Sequence, residues 1–218
     1  MGRHARAGAI TGRRRCAGDR CRRARCAMKR RRLCLALVLA WPALAAARGT
    51  STGAPETRAR DYFGDDTLVD QNGVGHRFYT DLLSEGVVLV NLVFTNCPNA
   101  CPMQTQMLQQ VRRQLGERFG KDVRFLSLSI DPKRDTPQSM KAFAAKYGAD
   151  VDGWRFVVAA PETMQQVLGK LGQWSGEPES HSTLLIAGRA GRQHWLKLRP
   201  DAPAERIALD LLRLADEA

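Results

Sequence analysis

The chain has 218 residues, a formal net charge of +12 and six cysteines. Of its 34 Lys and Arg residues, 13 precede residue 48, together with only one of its 22 acidic residues, so residues 48–218 carry 21 charges of each sign. This balance argues against a nucleic-acid-binding face. Only two of the six cysteines lie in residues 48–218. That segment is therefore predicted to be one domain with a hydrophobic core, not a small disulfide-stabilised protein.

The start of the chain has the pattern of an exported protein. Residues 28–47 combine a run of basic residues, an apolar stretch over 33–44 and small residues at the end, which is typical of a secretory signal peptide. We expect translation to start at Met28, residues 1–27 to be a disordered over-extension, and the mature protein to be periplasmic. The alternative is an N-terminal anchor in the inner membrane facing the periplasm, although a bilayer core requires about 20 apolar residues.

The rest of the chain alternates between strand and helix patterns. Residues 48–60 are small and polar and are predicted to be a flexible tether. The folded domain is expected over 61–218. It begins with an N-terminal β-hairpin, because Asn72-Gly73 is a strong turn signal between two short strands.

The remaining elements are predicted from apolar runs and helical periodicity. The predicted strands are 87–94, 123–130, 156–158, 183–187 and 195–198, and the predicted helices are 102–119, 137–147, 161–171 and 204–215. Thr136 and the proline that follows it are the N-cap and first residue of the second of these helices. The alternation predicts an α/β fold, a central sheet with helices on both faces.

Cys97 and Cys101 stand where a buried strand is predicted to end and a helix to begin. The carboxyl end of a strand is the usual place for a site in an open α/β sheet, and the first turn of a helix stabilises a thiolate. We therefore expect Cys97 to be the more reactive thiol. The four-residue spacing brings the pair close enough to form a disulfide or to bind one metal ion. A plain structural disulfide is the alternative.

Three segments of the chain, LVFTNCPNACP, SLSIDPKRDTP and SHSTLLI, together resemble the Sco (SenC-type) copper proteins. The resemblance spans roughly residues 62–214 and implies a thioredoxin-like fold with a mixed sheet. It also implies a role in assembling the binuclear copper centre of cytochrome c oxidase, with Cys97, Cys101 and His181 as metal ligands. Two features depart from the family pattern: Asn99, where many members carry an acid, and a short segment before His181.

The residue types support copper as the metal. In a thioredoxin-type sheet, the loop before the strand at 183–187 runs beside the start of the Cys-bearing helix. Ser182 stands there at the usual place of a cis-proline, directly after His181. Two thiolates and one imidazole suit Cu(I), because soft ligands select that ion, whereas structural zinc normally has four protein ligands. Cu(I) and Cu(II) both remain candidates.

Two methionines and two histidines outside this set are given structural roles. Met103 and Met107 lie on the apolar stripe of the predicted helix 102–119 and are predicted to belong to the core. His76 and His194 lie in a hairpin and a strand and are predicted to be surface or hydrogen-bonded residues.

Two acids and two aromatic residues near the cysteines are also considered. Asp131 and Asp135 flank Thr136 and are predicted to have turn or capping roles. Phe94 and Trp174 are candidates for shielding the site, and Trp174 can equally belong to the core.

The sequence leaves three functions open. The first is an exported, monomeric copper metallochaperone that delivers copper to the copper-site subunit of cytochrome c oxidase, or keeps the cysteines of that membrane-proximal subunit reduced. Its second partner would be a periplasmic thiol reductant. The second is a thiol–disulfide reductase without a copper-transfer role, in which Cys97 attacks and Cys101 resolves. A peroxiredoxin-like peroxidase, suggested by Thr95, is disfavoured because the proline usually found upstream in that site is missing. His181 discriminates between the first two functions.

Overall fold

The computed structural model describes residues 53–176 and 182–217. Its helices are α1 (Gly53–Phe63), α2 (Ala100–Leu115), α3 (Pro137–Lys146), α4 (Pro161–Lys170) and α5 (Ala204–Asp216). Its strands are β1 (Thr67–Asp70), β2 (Gly75–Arg77), β3 (Val87–Val93), β4 (Val123–Ser129), β5 (Trp154–Val158), β6 (Leu185–Arg189) and β7 (His194–Leu198). A π-helix at Phe78–Leu83 and two 3₁₀ turns, at Gly116–Arg118 and Ala190–Arg192, complete the described elements.

The seven strands of the described residues form one mixed sheet in the order β2-β1-β5-β4-β3-β6-β7. The central strands β3, β4 and β5 are parallel, whereas β6 runs antiparallel to β3 and β1 runs antiparallel to β5. All seven residues of β3 are buried, because helices cover both faces of the sheet. The predicted α/β fold, with a mixed sheet, helices on both faces and an N-terminal hairpin, is confirmed.

Local side-chain hydrogen bonds explain where two of these elements begin and end. In the hairpin, Asp70 Oδ1 accepts from the backbone N–H groups of Asn72 (2.8 Å) and Val74 (3.0 Å). At the start of α3, Thr136 Oγ1 accepts from the Ser139 N–H at 3.1 Å, and Ser139 Oγ accepts from the Thr136 N–H at 2.9 Å. This capping box satisfies two donors that the helix itself leaves unpaired, and it confirms Thr136 as the N-cap.

The structure differs from the sequence-based assignment at the start of the domain. Residues 53–60, assigned above to a flexible tether, form most of α1. Ala59 and Phe63 are buried in the core, and the Phe63 ring lies 5.4 Å from the Trp195 ring, centroid to centroid. Since α1 has few apolar side chains to bury, its sequence shows no apolar periodicity that would indicate a helix.

The sheet brings two segments together beside the start of α2. The turn after β3 leads directly into α2, and the antiparallel register pairs Val90 of β3 with Ile186 of β6. Thr183, three residues before Ile186, lies beside α2, because Nε2 of Gln104 donates to its carbonyl at 2.7 Å. The residues directly before β6 and the N-terminal half of α2 therefore meet near the end of β3.

Within 53–176 and 182–217, no helix is both long enough and apolar enough to cross a bilayer.

Gly188 is predicted to be required for the pairing of β6 with β7. A Cβ at this position would contact the Trp195 ring and lie 2.6 Å from the His194 carbonyl oxygen, which is backbone and cannot move aside cheaply. We expect Gly188→Ala to lower the free energy of unfolding by about 1–3 kcal/mol, measured by chemical denaturation. The matched control is Gly169→Ala, because Gly169 lies in α4 with open space around its Cα. That variant should be stabilised by up to about 1 kcal/mol, and equal effects at the two positions would contradict the prediction.

Candidate metal-binding and thiol site

Cys97 and Cys101 are free thiols that lie together at the start of α2. Cys97 occupies the turn after β3, and the Cys101 N–H in the first turn of α2 donates to Cys97 Sγ at 3.3 Å. Cys101 is only 1% exposed, whereas Cys97 is partly exposed and packs against the edge of the core. The structure thus brings the two predicted cysteines into contact and presents one of them to solvent.

The start of the helix controls the ionisation of Cys97. Burial by itself raises the pKa of this thiol, but hydrogen bonds from the Cys101 N–H, the Cys101 thiol and the N–H groups of Asn99 and Ala100 outweigh it and lower the pKa below its ordinary value. These N–H groups are the donors that the first turn of a helix leaves unpaired. Cys97 is therefore poised to be a thiolate nucleophile or metal ligand.

Cys101 behaves in the opposite way. Its burial raises the pKa of the thiol to about 12, and the negative charges of Cys97 and Asp135 also act to raise it. Cys101 accordingly keeps its proton while Cys97 is charged and unbound. A bond from Cys97 to a metal ion or to another sulfur removes that charge, which favours deprotonation of Cys101.

A buried carboxylate holds the turn that carries Cys97. Asp135 Oδ1 accepts from the Thr95 N–H at 3.1 Å and from Thr95 Oγ1 at 2.6 Å, while its Oδ2 accepts from Ser129 Oγ at 2.6 Å. Asp135 is only 5% exposed. The turn or capping role predicted for Asp135 is therefore too narrow, because the residue also ties the chain after β4 to the chain after β3. The bond to Thr95 joins residues 40 positions apart, so no local pattern could have indicated it.

His181, the third predicted ligand, lies outside the described residues. Thr183, two positions later, is described, and its carbonyl accepts a hydrogen bond at 2.7 Å from Nε2 of Gln104, one turn along α2 from Cys101. Within 53–176 and 182–217, no three His, Cys, Asp or Glu side chains form a group that could hold a metal ion. The described part of the site therefore supplies two sulfur donors.

Of the two methionines and two aromatic residues considered above, two lie at the surface and two pack in or against the core. Met103 is 69% exposed, so its assignment to the core is wrong; it lies two residues beyond the buried Cys101 and therefore on the opposite side of α2. Met107 packs against the core as predicted. Trp174 is 43% exposed and is not a core residue, whereas Phe94 is buried directly before the Cys97 turn.

The two described histidines are hydrogen-bonded, as predicted. His76 Nε2 lies 2.9 Å from Asp70 Oδ2, and His194 Nδ1 lies 2.7 Å from Glu217 Oε2. Neither histidine forms part of a metal-binding group of the described residues.

The fold and the site define a thioredoxin-like protein with a pair of cysteines at the turn from β3 into α2. A family model described as SCO1/SenC matches residues 54–176. The chain therefore belongs to the SCO1/SenC family, as the sequence segments around Cys97, Cys101 and His181 had suggested.

Two relatives illustrate the sequence similarity. The SCO1 protein homolog of Bacillus subtilis is 36% identical over 87 residues, which are 40% of this chain and 45% of that protein. The SCO2-like protein of Rickettsia felis is 35% identical over 80 residues, which are 37% of this chain and 38% of that protein. The chain thus spans less than half the length of these relatives.

Solved structures show the same fold over most of their length. A SCO1/SenC family lipoprotein from Bacillus anthracis has a TM-score of 0.61 and 25% identity, covering 71% of this chain and 95% of that one. The ScoI protein of Bradyrhizobium japonicum, solved with copper bound, has a TM-score of 0.58 and 24% identity, covering 69% of this chain and 98% of that one.

The contrast between the two thiols predicts their order of reaction. In the reduced protein, Cys97 should be alkylated by iodoacetamide near neutral pH, because its lowered pKa gives it a thiolate fraction there. Cys101, with a pKa of about 12 and almost no exposure, should remain unmodified until the protein unfolds. Peptide mapping by mass spectrometry across a pH series measures both rates. Equal rates for the two thiols in the folded protein would contradict the assignment.

The hydrogen bonds of Asp135 predict that its removal lowers the free energy of unfolding and also affects Cys97. Asp135→Ala leaves the Thr95 N–H without its partner, so we expect the free energy of unfolding to fall by roughly 1.5–3 kcal/mol. The same variant should change the alkylation rate of Cys97, because the turn that positions it is released. Asp201→Ala, which removes an exposed ion pair with Arg199, is the control and should change neither quantity measurably.

Proposed function

We propose that this protein is an exported copper metallochaperone with a redox-active CxxxC pair. The observation that carries the proposal is the hydrogen bond from the Cys101 N–H to Cys97 Sγ, which joins a partly exposed thiol of lowered pKa to a buried thiol of raised pKa in a member of the SCO1/SenC family. His181 is proposed as the third ligand, on the sequence pattern and on its position two residues before Thr183.

The donor set fits copper as the cargo. Two thiolates and an imidazole are soft to borderline ligands, which favour Cu(I), and three protein ligands are fewer than structural zinc normally has. Copper is also the metal held by ScoI of Bradyrhizobium japonicum, whose fold this chain shares. Because Cys97 is partly exposed and Cys101 is buried, copper would bind Cys97 first and Cys101 second.

The proposed destination of the copper is the binuclear site of cytochrome c oxidase. In that role the protein passes copper to the copper-site subunit or keeps the cysteines of that subunit reduced, and a periplasmic thiol reductant restores its own pair. We propose that it acts as a monomer close to the membrane, after export directed by residues 28–47, which lie outside the described residues. The lipoprotein in the same family from Bacillus anthracis supports a place outside the cytoplasm.

A thiol–disulfide reductase is the second candidate, and the unequal pKa values of the two thiols favour it. The Cys97 thiolate would attack a client disulfide, forming a mixed disulfide and releasing one client thiolate. Cys101 would then lose its proton and attack Cys97 Sγ, which closes the Cys97–Cys101 disulfide and releases the second client thiol. Two electrons pass from the pair to the client, so this activity requires both cysteines and does not require His181.

Copper titration of the reduced protein against a competing chelator tests the proposal. The wild type should bind one Cu(I) ion, and the oxidised protein should bind none, because a disulfide offers no thiolate. Cys97→Ser and Cys101→Ser should abolish tight binding. His181→Ala should weaken binding at least about tenfold, since even the loss of a residue that only orients a ligand has that effect, and should leave disulfide reduction intact.

The control is His194→Ala, because His194 is a hydrogen-bonded histidine in β7. Its copper affinity should equal that of the wild type. Equal affinities for wild type and His181→Ala would remove His181 from the site and favour the reductase function instead.

A further inference from the structure

Gln104 ties the Cys-bearing helix to the segment that precedes β6. Its Nε2 donates to the Thr183 carbonyl at 2.7 Å, and its Oε1 accepts from Asn91 Nδ2 at 3.3 Å. The residue is only 9% exposed and lies one helical turn after Cys101. Both ends of this amide are therefore engaged inside the protein.

Gln104 is linked to the interior of the sheet by a chain of buried hydrogen bonds. Trp154 Nε1 donates to Ser127 Oγ at 2.9 Å, and Ser127 Oγ donates to Asn91 Oδ1 at 2.7 Å. Asn91 and Ser127 are fully buried and face each other across the β3–β4 pairing. The chain thus runs from β5 through β4 and β3 to α2 and ends at the backbone before β6.

The two ends of this chain determine the direction of every bond in it. An indole N–H only donates and a backbone carbonyl only accepts. The Thr183 carbonyl must receive the NH₂ of Gln104, so Asn91 directs its NH₂ to Gln104 and its Oδ1 to Ser127, which donates its hydroxyl proton to that oxygen. Reversing any one amide would place two donors or two acceptors face to face.

These hydrogen bonds fix the positions of the groups that they join more than they stabilise the fold. Buried polar groups are costly unless all are satisfied, whereas apolar side chains of similar shape in the same places can be about as stable. The last bond is the one with a consequence for the site, because it attaches the Thr183 backbone to α2. Two residues of chain span at most about 7 Å, so that attachment limits where His181 can lie relative to Cys97.

We propose that Gln104 is a positioning residue of the copper site. It holds the Thr183 carbonyl against α2, and because only two residues separate Thr183 from His181, this contact restricts the reach of His181 as a ligand. This inference rests on the proposed copper-binding function. It assigns to Gln104 no contact with the metal and no part in thiol chemistry.

A second glutamine on the same helix provides a matched control. Gln109 is 8% exposed, and its Nε2 likewise donates to loop carbonyls, those of Tyr147 (3.2 Å) and Gly148 at the end of α3. Gln104→Met and Gln109→Met therefore remove the same kind of bond from the same helix. Only Gln104 leads to the segment before β6.

The experiment compares these two variants in unfolding, copper binding and disulfide reduction. Both should lower the stability towards denaturant, and both should keep wild-type disulfide reduction. Gln104→Met should weaken Cu(I) binding about tenfold and shift the thiolate-to-copper absorption of the Cu(II) form in the direction seen for His181→Ala. Gln109→Met should do neither. In a His181→Ala background, Gln104→Met should cause no further loss of affinity, because the two residues act through one contact.

The outcomes separate this inference from the function on which it rests. If His181→Ala binds copper like the wild type, the proposed function fails, and the inference fails with it. If His181→Ala weakens binding but Gln104→Met does not, the function stands and the inference is overturned. An additive effect in the double variant would overturn it as well, because Gln104 would then act on the thiols or on the fold as a whole. Should Gln104→Met not fold, Gln104→Asn, whose amide is one methylene too short to reach Thr183, takes its place in every comparison.

Discussion

The turn from β3 into α2 is the constraint on which the rest of the site depends. Asp135 accepts both the backbone N–H and the hydroxyl of Thr95, so the chain leaves the sheet in one direction. That direction delivers Cys97 to the point where the first N–H groups of α2 converge. The chemistry of the thiol is thus set by backbone geometry, and the backbone geometry is set by a carboxylate on the neighbouring strand's loop.

The two cysteines differ because the same turn places them in different surroundings. One faces the helix donors at the protein surface, and the other lies beneath them in the core. Burial raises the pKa of the Cys101 thiol to about 12, so this thiol keeps its proton while Cys97 is charged. The copper capture and the disulfide exchange proposed above would both follow this order of steps, with Cys97 first and Cys101 second.

Local patterns in the sequence predicted the parts of the structure that local forces determine. The buried strand before Cys97, the helix after it and the Thr136 cap follow from apolar runs and capping residues, and the cysteines are recognisable from their place between strand and helix. The polar face of α1 concealed its contribution to the core through Ala59 and Phe63. The roles of Asp135 and Gln104 depend on partners 40 and 79 positions away. Such contacts exist only after the sheet has formed, so periodicity and spacing carry no trace of them.

The buried Asn91–Ser127 pair has a consequence for how the sheet assembles. Strand β3 is VVLVNLV, apolar on both faces except at Asn91, so hydrophobic burial alone distinguishes poorly between neighbouring alignments of β3 on β4. A slip of one residue would replace valine by leucine at little cost. It would also leave the Asn91 amide and the Ser127 hydroxyl without each other as partners among apolar side chains. The pair therefore favours the observed alignment over its neighbours. Because Thr95 and Cys97 follow β3 by only a few residues, this alignment also sets the height of their turn relative to Asp135 in the loop after β4.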